Sequence, residues 1–138
     1  MVLHPSEPRV LAVLDWEIST IGDPLADFTY HIMQWRMPAG GTGGGTGSLT
    51  DADLTSLGIP SEDEYVAMYC KRTGRPGIEN RDFYFAYNFF RIAGILQGIM
   101  GRVRDGTAAS AHATATASAV RPLAELGWTY AKRAGAKD

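Results

Sequence analysis

Between Arg81 and Arg104 the chain places Phe83, Phe85, Phe89, Phe90, Ile92, Leu96 and Val103 around a helical projection that has almost no polar side. A helix apolar on every side is stable in water only when other elements surround it. The pattern therefore predicts a central, buried helix in a mainly helical domain. Asn88, Arg91, Gln97 and Arg102 interrupt the run too often for a membrane span. Tyr84, Asn88 and Arg91 share one stripe, the single polar face of this helix, while Gly94, Gly98 and Gly101 leave room for a close neighbour.

The rest of the chain supplies the surrounding elements. Asp23 and Pro24 suit the N-cap and first position of a helix running to about Arg36, and Pro38 stops it. Ser61 and Glu64 form a capping-box pattern at the head of a helix that ends at Gly74, with Tyr65, Met68 and Tyr69 as its apolar face. A last helix is expected from near Ala108 to Ala134, broken at Pro122. At the other end, Val2 and Leu3 and the run Val10 to Leu14 flank the turn-rich "HPSEPR", which predicts a β-hairpin whose second strand is buried. The fold class is thus mainly α with a short N-terminal β-hairpin. The 138 residues form one domain.

Composition excludes some functions. A net charge of −2 argues against nucleic acid and against anionic membrane as partners. One cysteine, Cys70, excludes an intramolecular disulfide and reads as a small core residue. No charged segment followed by an apolar one marks a leader, so a cytoplasmic location is expected. His4, His31 and His112 lack companions for a zinc site. Residues 39–48 are glycine-rich but contain neither Gly-x-Gly-x-x-Gly nor a Lys-Ser/Thr pair, so they read as a flexible connection rather than a phosphate loop.

Chemistry enters at Asp15, where the apolar run stops. A strand-end carboxylate is either a solvated turn acid or a metal ligand held at a cleft edge. Trp16 and Trp35 read as core. An Asp-x-Asp-x-Thr phosphohydrolase is an alternative, but Glu17 and Ser19 stand where its second acid and threonine would be.

"VLAVLDWEISTIGDPLADF" (Val10 to Phe28) resembles the metal-binding segment of the aminoglycoside phosphotransferase and choline kinase-like superfamily. "GIPSEDEYVAMYCKRTGR" and "DFYFAYNFFRIAGILQGIMGR" resemble its branch related to the kinase-like domain fused to acyl-CoA dehydrogenases. The resemblance implies the helical, C-terminal lobe of a protein-kinase-like α+β fold. It implies Asp15 as the residue holding Mg²⁺ against the phosphates of ATP, with Glu17 reaching the metal through water or meeting the acceptor. Asp23 and Asp27 would brace the site, Asp23 as N-cap, and Tyr84, Asn88 and Arg91 could line a pocket for a small-molecule hydroxyl acceptor. The family's His-Gly-Asp catalytic loop occurs nowhere in the 138 residues, and its ATP-binding lobe and phosphate-binding lysine are missing too. The chain by itself is therefore expected to be inactive and to bind neither cofactor tightly. A non-enzymatic fragment is the other reading. Uncovered apolar surface is expected to drive self-association into a homodimer, through the hairpin edge or the aromatic helix.

Overall fold

A computed structural model describes residues 1–38 and 48–137. Two strands, β1 (Val2–Leu3) and β2 (Val10–Ala12), pair antiparallel with Val2 opposite Ala12 and Leu3 opposite Val10, the register slipping between them. A 3₁₀ turn, Trp16–Ile18, leads to α1 (Pro24–Ile32), which tightens into a second 3₁₀ turn at Met33–Trp35. Then come α2 (Glu62–Thr73), α3 (Arg81–Arg104), the short α4 (Ala113–Ala117) and α5 (Val120–Arg133). Most of the glycine-rich stretch, residues 39–47, lies outside the described residues.

Local chemistry sets the boundaries. Asp23 caps α1, its Oδ1 accepting from the Leu25 amide at 2.9 Å. The capping box of α2 is complete: the Glu64 amide donates to Ser61 Oγ, and the Ser61 amide donates back to Glu64 Oε2 at 2.8 Å. Gly74 ends α2 at φ 69°, left-handed backbone where a side chain is disfavoured. α4 stops before Ser118 and α5 restarts at Val120, because Pro122, in the first turn of α5, has no amide to donate to the Ser118 carbonyl and its ring crowds that carbonyl. The last helical stretch starts at Ala113 rather than near Ala108. There the Ser110 hydroxyl takes the His112 amide at 3.2 Å, a local turn that competes with helix.

The core lies between α3 and its neighbours α1, α4 and α5. Phe85, Phe89, Ile92 and Leu96 of α3 meet Leu123 and Tyr130 of α5 and Ile32 and Met33 at the end of α1. Tyr130 stands 5.1 Å from the Phe85 ring and 5.6 Å from the Phe89 ring. α5 comes close because Gly127 faces α3: a methyl group there would sit 3.2 Å from Phe89 Cβ. α2 joins through rings, Tyr69 stacking on Phe28 at 3.8 Å and Tyr65 on Trp35 at 5.4 Å.

Two expectations about burial are corrected. α3 is not enclosed by the described residues: Phe83, Tyr87, Phe90 and Ile95 face solvent. Nor is the second strand buried. It ends at Ala12, and Val10, Leu11, Val13 and Leu14 are all exposed, because no described element covers either face of the two-stranded sheet. No helix among the described residues is long and apolar enough to cross a membrane.

Candidate functional site

Asp15 follows the hairpin as the N-cap of the first 3₁₀ turn, in left-handed backbone at φ 60° and ψ 19°. Asp and Asn tolerate this region better than other side chains. The carboxylate makes no capping bond and is exposed, so it remains available. Trp16, expected in the core, is instead 70% exposed, since no described element packs over the hairpin and its turn. Glu17, in the same 3₁₀ turn two residues on, is exposed as well.

Asp23 joins this turn to the helical core. Besides capping α1, its Oδ2 accepts a 2.5 Å hydrogen bond from the Tyr84 hydroxyl of α3. That bond, with the Leu25 amide second, holds the Asp23 carboxyl below its ordinary value and pushes the Tyr84 phenol up. Asp27 is exposed on the first turn of α1.

The stripe expected on α3 divides in two. Asn88 is fully buried, its Nδ2 donating to the Ala26 carbonyl and to Thr29 Oγ1, both at 2.9 Å. The Arg91 guanidinium lies 5.0 Å over the Tyr30 ring. Both residues thus face α1, whereas Tyr84 also lines an open cleft of about 760 Å³ at the N-terminal end of α3.

Arg36, Arg81 and Arg133 also line that cleft, with Asp82 in its wall, and Asp63 beside it pairs with Arg81 at 3.3 Å. Glu62, with a side chain only 10% exposed, organises two of the three. Arg36 pairs with it through Nε and Nη2, and Arg81 Nη1 through a 3.1 Å bond. The bond to Glu62 raises the Arg36 pKa further above its ordinary value, so the guanidinium stays charged. The third, Arg133, lies 4.9 Å over the Tyr130 ring. Sequence reading missed these residues. They stand at 36, 62, 81 and 133, on four different elements, and no local spacing connects them.

Among the described residues, no three of His, Cys, Asp and Glu converge as metal ligands. The donor set suits a hard divalent cation held by one carboxylate and completed by phosphate and water, the usual manner of Mg²⁺. It does not suit a cage made of protein alone.

Residues 1–84 match the family described as phosphotransferase enzyme family. The chain is 43% identical over 135 residues to acyl-CoA dehydrogenase family member 10 of Mus musculus, covering 98% of this chain and 12% of that one. It is 39% identical to acyl-CoA dehydrogenase family member 11 of Homo sapiens, covering 96% and 17%. A crystal structure described as an aminoglycoside phosphotransferase from Ralstonia eutropha superposes with a TM-score of 0.81 at 54% identity, covering 95% of this chain and 39% of that one. The chain therefore spans under a fifth of these curated relatives and about two fifths of the solved structure.

Proposed function

The chain belongs to the phosphotransferase enzyme family, and on that footing we propose that it carries the metal-holding, acceptor-side portion of an ATP- and Mg²⁺-dependent small-molecule kinase. The observation that carries this reading is the Asp15 turn, an exposed carboxylate on left-handed backbone, tied to the helical core through Asp23 and Tyr84. Mg²⁺ bound there would neutralise phosphate charge. Asp15 holds the cation, Asp23 fixes the turn, and Tyr84 sets the boundary between the turn and the arginine-lined cleft. That cleft is the candidate acceptor site. Its guanidinium groups, two of them held by Glu62, offer fixed hydrogen-bond donors to a hydroxyl compound. Asn88 and Arg91 hold α3 against α1 and set where Tyr84 stands.

The 138 residues contain no His-Gly-Asp, and a base of that kind contributes about 10²–10⁴-fold to transfer. The chain alone is accordingly proposed to transfer no phosphate and to hold Mg²⁺ only weakly, the phosphates that complete the shell having no cradle among the described residues.

Mn²⁺ is a paramagnetic stand-in for the metal. In an NMR titration with Mn²⁺ and ATP, broadening is expected to centre on Val13 to Ser19, to vanish in Asp15→Asn and to persist in Asp27→Asn. Broadening centred elsewhere would overturn the assignment of Asp15. ATP-dependent phosphorylation of a hydroxyl acceptor, abolished by Asp15→Ala, would overturn the proposed inactivity. Tight Mg²⁺ binding without nucleotide would overturn the weak-site reading.

A further inference from the structure

Glu62 takes, from within the chain, the place that an anionic ligand of the cleft would occupy. It is the first residue of α2, Arg36 caps the second 3₁₀ turn, and Arg81 is the first residue of α3, so three element ends converge on one carboxylate. Arg36 Nε donates to Glu62 Oε2. Arg36 Nη2 and Arg81 Nη1 both donate to Glu62 Oε1, at 3.0 and 3.1 Å. The two bonds from Arg36 form the two-pronged pairing by which a guanidinium recognises a carboxylate or a phosphate. The third nitrogen, Nη1, donates to the Tyr130 hydroxyl at 3.3 Å, and the group lies 5.5 Å over the Phe85 ring. Every nitrogen of the Arg36 guanidinium thus has a partner inside the chain.

The charges around the cleft balance. Arg36, Arg81 and Arg133 are matched by Glu62, Asp63 and Asp82, three of each sign. The acids are not equivalent. The Asp63 side chain is 89% exposed, and a pairing in open water holds a guanidinium weakly. Glu62 is sheltered and holds two. Arg133, exposed in the last turn of α5, offers an anion only a single solvated charge.

A tie between helix ends needs one arginine. Here two share one oxygen, and both open on the same cleft. Without the carboxylate charge they would stand side by side at the wall, as two forks suited to a tetrahedral anion. Glu62 keeps that clamp closed.

We propose that Glu62 is a specificity-determining residue of the cleft: by holding Arg36 and Arg81 it excludes acceptors that present an anionic group there and leaves the cleft to hydroxyl compounds uncharged at that end. This rests on reading the cleft as the acceptor site. The probe is inorganic phosphate, titrated into the chain at constant ionic strength and followed by NMR through the Nε–H signals of Arg36 and Arg81. In the wild type these signals are expected to stay in place. Glu62→Gln keeps the side chain's length and removes its charge. It should bind phosphate at least tenfold more tightly than the wild type, with the shifts centred on Arg36 and Arg81. The double variant Glu62→Gln/Arg81→Gln should lose the gain. Asp105→Asn, at the other end of α3, makes the same change of net charge away from the cleft and should gain nothing. Glu62→Met replaces Glu62→Gln if circular dichroism shows the latter unfolded. A carboxylate that only ties helices together predicts lower stability in Glu62→Gln with no phosphate bound, and that result refutes the proposal. So does phosphate binding at these arginines in the wild type, an equal gain in Asp105→Asn, or a gain that survives Arg81→Gln. Loss of the fold in both Glu62 variants refutes it too, since Glu62 is then a structural tie. None of these results touches Asp15, whose role stands or falls by the Mn²⁺ titration.

Discussion

Asn88 shows at residue scale how a polar stripe can be read correctly and placed differently. Its spacing with Tyr84 and Arg91 was visible in the sequence, but its partners, Ala26 and Thr29, lie some sixty residues away. Its amide faces two oxygens, so Asn88→Asp would bury a charge against acceptors. That change is expected to destabilise the fold by about 3 kcal/mol in urea unfolding, more than Asn88→Leu, which only removes the bonds. Tyr84 acts through pH. The Asp23 carboxyl is depressed below its ordinary 3.8, so the stability it contributes is present above that value and lost as pH falls through the lower folded one. The Tyr84 phenol is raised above 10.0, so its contribution is present below 10 and lost as pH climbs through the folded value. Tyr84→Phe is therefore expected to flatten both limbs of a Tm–pH profile while leaving the Asp23 cap on Leu25. The Asp23 cap itself was legible, because capping is a contact with the next two residues.

Elements were legible where their signals are local. The capping box of α2, the full span of α3 and the break at Pro122 all depend on residues within a turn or two of one another. The start of the last helix was misread by five residues because alanine favours helix wherever it stands, while the Ser110 turn is a specific competitor. The contact between α3 and α5 could not be read at all, since it rests on Gly127, one glycine among 16. Its nearest neighbours are Phe89 Cβ, the Phe90 amide nitrogen and the Ala86 carbonyl oxygen, which are backbone or next to it and give little. Gly127→Val is accordingly expected to lower stability by about 1–3 kcal/mol by overpacking, despite the better helix former. A gain in thermal stability would show that α5 can slide.

Burial is a property of the whole molecule, and there sequence pattern carried least. Five apolar residues ending at Asp15 read as a buried strand, yet what decides burial is whether another element arrives to cover them. Among the described residues none does. Leu11→Ser and Val13→Ser are therefore expected to change unfolding free energy by no more than about 0.5 kcal/mol each. Leu123→Ala, in the core, should cost about 2–5 kcal/mol. Losses of core size at Leu11 and Val13 would mean that the hairpin packs in solution. The same exposure equips the molecule optically. Trp16, beside Asp15, stands in water, whereas Trp35 is half-sheltered, its indole donating to the Pro60 carbonyl. The fluorophore next to the carboxylate is thus open to aqueous quenchers; once the third tryptophan, 45% exposed on α5, is removed by Trp128→Phe, the sheltered one serves as its internal reference, so an ion or nucleotide reaching Asp15 can be followed without an added label.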